Sequence, residues 1–455
     1  MTNDRRLPLR LRLGFGIGDL GGNLFFTIMG FYLLIYLTDT VGLAAGLAGT
    51  ALMIGKIWDA VTDPAVGYWS DNVRLPMGRR RPFILAGSIF LFCSMILMFS
   101  VPSASSQFSL FLIATALLCL LNTAYTLVNI PYQSLLPELT EDFNERTVLT
   151  GYRMSFAVVG TFVGAGAVLP IVNGLGGERL GWMVMGGVMG GVMLATALVT
   201  VFAVREPAHP PVEKRHGFLN SYRHALSSKV FLLATIPWML HVLGVSVVQG
   251  SLLYYFTYVV GRPALFQLAL LGLLTTSLLF IPFWVRVSKA RGKRFAYNAG
   301  MAWMSLALLV FFLVGPTATP WVSVLIMAVA GFGFSTHYVM PHSILPDAVE
   351  CDYADSGIRR EGVYYSLFTF GSKVSQAIAL GISGWILSLA GYVAEQPQGD
   401  AAMLAIRFLV GPIPMLFIIA GILVLSRYPV TREYYEAILE KIRAREGTLP
   451  QEVYE

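Results

Sequence analysis

Charge is scarce in this sequence. Of 455 residues only 13% are Asp, Glu, Lys or Arg, while 56% are hydrophobic, and a water-soluble globule cannot bury that share of apolar side chain. Cysteine is scarcer still. Cys93, Cys119 and Cys351 are odd in number and have no metal-ligand spacing, so neither a disulfide nor a zinc centre is expected. No HExxH or GxSxG stretch occurs, and His241, His337 and His342 read as hydrogen-bonded helix residues, so an intramembrane enzyme is not expected. The N-terminus starts basic and turns apolar, but Asp19 and Asn23 interrupt it and no small-residue cleavage site follows, so it reads as a cytoplasmic arm entering a first helix.

What the sequence does have is a series of apolar runs. Twelve stretches are long enough to span a bilayer, near 15–37, 45–70, 83–101, 108–133, 149–172, 182–203, 229–258, 264–287, 295–315, 321–345, 361–391 and 403–427. An even number of spans leaves both termini on one side. That side holds 26 of the 32 Lys and Arg residues, among them Arg5, Arg6, Arg10, Arg12, Arg79 to Arg81, Lys214, Arg215 and Arg359; the other side has Arg179, Arg262 and Arg407. This asymmetry places both ends in the cytoplasm, and it accounts for the net charge of +6 without nucleic acid.

The longest hydrophilic connection, around 205–229, divides the chain. The predicted layout is an N-terminal six-helix bundle at 1–204, a cytoplasmic linker at 205–228, a C-terminal six-helix bundle at 229–427 and a cytoplasmic tail at 428–455. PYQSLLPELTED at 131–142 returns as PHSILPDAVECD at 341–352, and MGRRRPFILAG near 77 is echoed by RGKRFAYNAG near 291. The offsets are about 210 residues. Two six-span halves in parallel repeat form the layout of an all-α major facilitator, which carries its substrate between halves that rock.

The few intramembrane charges then stand out, because each costs on the order of 3 kcal/mol at a span centre. Asp59 and Asp63 lie one turn apart on a helix face and repel unless a cation joins them. Pro64 frees the Ala60 carbonyl and Thr62 adds a hydroxyl, an oxygen set suited to Na+ or to a shared proton. The alternative is an Asp59–Lys56 salt bridge with Asp63 capping a kink. Lys373 is the only base deep in its span, so it is a candidate counter-charge that competes with the cation; a lysine snorkelling to the surface is the other reading. Asp19 with Asn23, and Asn129 with Gln133 beside Tyr125, outline a wet cavity on two spans, and Arg153 stands in a third. A cytoplasmic latch is expected from Asp71, Arg79, Arg80, Glu138 and Asp347.

The motifs KIWDAVTDPAVGYWSD with GRRRPF, NIPYQSLLPELT, YRMSF, and LPDAVECDY with RREGVYYSLFTFGSK together resemble the glycoside-pentoside-hexuronide:cation symporters, the melibiose permease group of the major facilitators. That resemblance implies cation binding at Asp59, Asp63 and Thr62, coupling through Lys373, and cargo contact at Asn23, Tyr125, Asn129, Gln133 and Arg153. It departs from melibiose permease where that protein has sugar-binding aspartates and a stacking tryptophan: here stand Asn23, Asn129 and Gln133. YRMSFAVVGT and LGISGWILSLAGY also resemble the sodium-dependent lysophosphatidylcholine symporters. With Phe25, Phe26, Met29 and Met53 around the amides, the expected cargo is a lysophospholipid-type amphiphile driven by Na+. A sugar or glycoside driven by Na+ or H+ is the alternative, and a passive lipid scramblase a remote one. The protein is expected in a bacterial inner membrane, as a monomer surrounded by lipid, with no cofactor beyond the coupling ion.

Overall fold

In the computed structural model, residues 7–446 are described apart from 74, 103–105, 141–142, 178, 207–217, 315–316, 318 and 359. Every regular element among them is helical. In chain order these are α1 (Leu9–Gly16), α2 (Gly18–Phe31), α3 (Leu33–Ile35), α4 (Ala45–Asn72), α5 (Arg81–Met98), α6 (Gln107–Leu139), α7 (Phe143–Gly174), α8 (Arg179–Ala203) and α9 (Phe218–Ser227). They continue as α10 (Lys229–Tyr254), α11 (Ala264–Arg291), α12 (Lys293–Val314), α13 (Pro320–Ser356), α14 (Glu361–Leu389), α15 (Asp400–Val410), α16 (Pro412–Leu425) and α17 (Arg432–Glu446).

Among the described residues nine helices are long and apolar enough to cross a membrane, or ten if Leu9–Phe31 and Leu33–Thr40, bent by 51°, form one span. In lipid only structures that satisfy their own backbone hydrogen bonds can cross, which is why this apolar sequence is helical. Two more helices, α4 with 28 residues and α14 with 29, have the length to cross. Their polar residues, Lys56, Asp59 and Asp63 on α4 among them, keep them from qualifying on apolar character.

Two π-helical turns, Tyr36–Thr40 and Tyr255–Val259, end the helical runs that begin with α1 and α10. Each is followed by a glycine in the left-handed region, Gly42 at φ +79° and Gly261 at φ +68°, a conformation that L side chains rarely adopt.

The helices gather into two compact units. The first comprises Met1–Pro211, Gln249–Leu271 and Gln376–Arg407, the second Val212–Val248, Gly272–Ser375 and Phe408–Glu455. In the first, α2 packs on α7, and α4 and α5 on α6. The approach of α2 to α7 needs glycine: a Cβ on Gly160 would lie 2.2 Å from the Leu20 carbonyl oxygen. In the second, α12 packs on α13, where a Cβ on Gly333 would lie 2.3 Å from the Gly300 carbonyl oxygen. Helix α9 lies within the stretch expected as a linker, and its Ala225 is buried against Phe231, Trp238 and Tyr364 of the second unit. Lys214, Arg215 and Arg359, like Arg5 and Arg6, fall outside the described residues.

Candidate cation and cargo site

Asp59 and Asp63 sit on one face of α4, and α6 brings a single hydroxyl to both. Thr126 Oγ1 lies 3.0 Å from Asp59 Oδ1 and 3.2 Å from Asp63 Oδ1. One hydroxyl carries one hydrogen and can donate to only one carboxylate at a time. The second oxygen–oxygen contact is favourable when that carboxyl is protonated or when a cation lies among the three oxygens. Asp59 is fully buried, and the Lys56 ammonium lies 3.4 Å from its Oδ2. That ammonium also sits 5.1 Å from the Phe26 ring centre. Thr62 spends its hydroxyl on its own helix, donating to the carbonyls of Trp58 at 3.0 Å and Asp59 at 3.2 Å. Thr126, which the sequence reading passed over, is the hydroxyl facing both acids. Among the described residues no group of three or more His, Cys, Asp or Glu gathers to hold a metal, so any ion here relies on two carboxylates with neutral oxygens.

Beside these acids Tyr125 stacks on Phe25, ring centres 4.1 Å apart and 6° from parallel, with Phe26 edge-on to Tyr125 at 5.3 Å. Asp19 is held by Arg153, whose Nε lies 2.5 Å from Oδ2 and whose second nitrogen lies 3.4 Å from Oδ1. The guanidinium also rests over the rings of Tyr132 at 5.1 Å and Phe15 at 5.7 Å. Asp19 and Arg153 therefore neutralise one another. Asn23 donates to the Asp19 carbonyl at 3.0 Å, and Gln133 to Asn129 at 3.1 Å, with Gln133 exposed. Lys373 is buried on α14, in the second unit.

Arg79 and Arg80 both reach Glu138 Oε1, at 2.5 and 2.7 Å. Glu206, absent from the sequence reading, accepts three backbone N–H bonds, from Arg79 at 2.7 Å, Arg80 at 2.9 Å and Arg81 at 2.7 Å. It thus covers the N-terminus of α5, where unpaired donors and the helix dipole favour an anion. Asp347 is held by Lys293 at 2.7 Å from both carboxylate oxygens. The second unit so carries its own counterpart of the Arg79–Glu138 pair. The Asp71 side chain lies outside the described residues.

A further polar cluster lies within the first unit. Asp39, in the first π-helical turn, accepts from Tyr258 at 2.5 Å, from Tyr392 at 2.6 Å and from Thr38 at 2.6 Å. Tyr254 meets the Thr38 hydroxyl at 2.6 Å. Tyr392 lies just beyond α14; burial first, then Tyr254 and Asp39, raise its pKa, so it stays a neutral donor. Nothing short of the folded chain signals this cluster, because its members are far apart in sequence.

Comparison with known proteins shows the family. The family model described as "MFS/sugar transport protein" matches residues 14–432. An uncharacterized symporter of Synechocystis is 30% identical, the match covering 97% of this chain and 98% of that one. A putative 2,3-dihydroxypropane-1-sulfonate exporter of Escherichia coli is 29% identical over 97% of each. The sodium-dependent lysophosphatidylcholine symporter 1-A of Danio rerio is 26% identical over 95% of this chain and 88% of that one. Among solved structures a mutant of the nucleoside transporter NupG matches with a TM-score of 0.68 at 12% identity, covering 92% of this chain and all of that one. At that identity the likeness shows the fold, which is that of a major facilitator. The chain belongs to the MFS/sugar transport protein family and is a multi-pass membrane transporter, a cation symporter of the major facilitator type, not an enzyme.

Proposed function

We propose that Na+ is the coupling ion, bound by Asp59, Asp63 and Thr126, and that it drives uptake of a lysophospholipid-type amphiphile. The observation that carries the ion assignment is the single Thr126 hydroxyl within 3.2 Å of two carboxylates. Two carboxylates and a hydroxyl supply the hard oxygens that a small cation prefers. Lys56 stands beside Asp59 in this conformation, so ion and ammonium compete for one carboxylate, and Lys373 is proposed as the coupling base of the second half.

For the cargo, the exposed Phe26 ring, backed by the buried stack of Phe25 on Tyr125, is an apolar patch beside the paired Asp19–Arg153 and the amides of Asn23, Asn129 and Gln133. An apolar wall with a few polar groups at one end suits an acyl chain carrying a head group. The Danio rerio relative is named for such a cargo. A small sugar or glycoside is the second reading, favoured by the Asn129–Gln133 amide pair, which can both donate to and accept from hydroxyls. The scheme further takes the halves to be 1–204 and 229–427 joined through 205–228, with a tail at 428–455, in a bacterial inner membrane, as a monomer with both termini cytoplasmic.

The test is uptake into proteoliposomes under an imposed Na+ or H+ gradient, with lysophosphatidylcholine and melibiose as cargoes. Sodium-driven lysophosphatidylcholine accumulation is expected. Accumulation of melibiose alone would restore the glycoside reading, and flux indifferent to both gradients would leave a scramblase.

A further inference from the structure

The two π-helical turns, Tyr36–Thr40 and Tyr255–Val259, set a register between the helical runs that precede them. In that register Trp238 on α10 occupies the position of Asp19 on α2. A second register follows from Glu138 and Asp347, each the acid that pairs with a basic residue after the second or eighth expected span. There Tyr338 and His342 on α13 occupy the positions of Asn129 and Gln133 on α6. The equivalents of Asp19, Asn129 and Gln133 are thus two aromatic rings and an imidazole.

Within the second unit these rings form one wall. Trp238 stacks on Phe368 at 5.3 Å and 4°, His337 lies 4.8 Å away, and His342 meets Trp238 edge-on at 5.6 Å. Phe334 stacks on His337 at 5.2 Å and carries Tyr338 edge-on. Trp238 is only 8% exposed, yet its indole N–H has no hydrogen-bond partner among the described residues, nor has His337 Nδ1. A buried donor left unbonded is costly, and native folds seldom keep one without a use. Tyr338 and His342 are exposed at the rim of the same wall.

We propose that this wall binds the oxyanion of the cargo, a phosphate or sulfonate, through the Trp238 indole N–H and the imidazoles of His337 and His342. The chemistry favours an anion over a sugar. Indole only donates, each imidazole can turn an N–H towards the ligand, and none of the six residues carries a carboxylate to repel an anion. A phosphate or sulfonate oxygen only accepts, so it can satisfy the indole N–H and an N–H of each imidazole at once. None of these donors is a fixed cation, so they hold the anion without a permanent counter-charge, which permits release. This rests on the symporter reading and narrows its cargo to an oxyanion-bearing molecule.

The test uses the full-length protein in nanodiscs. Binding of lysophosphatidylcholine, of 2,3-dihydroxypropane-1-sulfonate and of a monoacylglycerol with the same acyl chain but no phosphate is measured by titration calorimetry, with 22Na+ binding measured in parallel. Trp238→Phe and His342→Phe keep the stacked rings and remove the nitrogens. Each is expected to weaken binding of the oxyanion probe by about tenfold or more, the loss of one hydrogen bond to a charged group, while monoacylglycerol and 22Na+ binding hold at wild-type values. Loss confined to lysophosphatidylcholine assigns the wall to a lipid phosphate, and loss confined to the sulfonate assigns it to a small solute. Unchanged oxyanion binding in both variants, equal weakening of the phosphate-free probe, or failure of the wild type to bind either oxyanion would overturn the inference. If no 22Na+ binds but the variants still discriminate oxyanions, the coupling reading fails and this one stands.

Discussion

Replacing Asp63 with Asn keeps the shape of the α4 face and removes one charge. Its magnitude can be worked from the contacts at Thr126. Asp59 Oδ1 and Asp63 Oδ1 lie 3.0 and 3.2 Å from the same hydroxyl oxygen, so they are no more than about 6 Å apart, and at an effective dielectric near 20 their charges interact by roughly 2.7 kcal/mol or more. A cation among the three oxygens lies nearer to each carboxylate than they lie to one another, so its attraction to Asp63 exceeds that figure. Na+ affinity should therefore fall by about 100-fold at least. Relief of the repulsion at the same time lets Lys56, 3.4 Å from Asp59, satisfy the remaining carboxylate. The variant should fold, bind Na+ poorly and lose Na+-driven accumulation, while cargo exchange down its own gradient persists. 22Na+ equilibrium dialysis and proteoliposome uptake read these outcomes separately. Wild-type Na+ affinity, or undiminished accumulation, in Asp63→Asn would refute the assignment and leave the pair with a structural role.

Further outcomes follow from the same geometry. Thr126→Val should weaken Na+ binding by about tenfold, whereas Thr62→Val, whose hydroxyl bonds its own helix backbone, should change it little; dialysis of the two variants separates them. Glu206→Gln removes the charge that gathers three N–H groups at the start of α5, and thermal unfolding should show a loss of about 1–3 kcal/mol. The double change Arg79→Gln and Arg80→Gln takes both guanidinium groups from Glu138 and should raise alkylation of a cysteine probe at the cytoplasmic face; unaltered labelling would count against a latch. Tyr258→Phe with Tyr392→Phe strips Asp39 of two donors, and thermal unfolding should show a loss of about 1–3 kcal/mol.

Much of the site was legible because helices have a fixed period. Asp59 and Asp63 are four apart, so one turn of α4 brings them to one face, and Pro64 travels with them. The Arg79–Glu138 pairing was likewise readable from opposite charges at helix ends. Thr126 was not, because its role depends on which face of α6 packs against α4, and an isolated threonine in an apolar span has no sign of its own. Asp347 was expected among the partners of Arg79 and Arg80. The repeat offered a better assignment, since each half carries its own basic loop, and Lys293 is the one that holds it. Two helices run on beyond their apolar spans: α6 to Leu139 and α13 to Ser356, the latter through Pro341 and Pro346. Long helices packed by neighbours tolerate the lost backbone bond, which local sequence does not disclose.

The π-helical turns carry a further meaning for the internal repeat. They fall at matching positions of their two helical runs, and each is closed by its own left-handed glycine. In the register they define, Asp39 and Tyr258 are equivalent positions. Had the two runs the same residue there, acid would face acid or phenol would face phenol. Instead there is an acceptor in one and a donor in the other, 2.5 Å apart. A contact that strict repetition would leave between like groups is thus a heterologous bond, which requires the two repeats to differ in sequence.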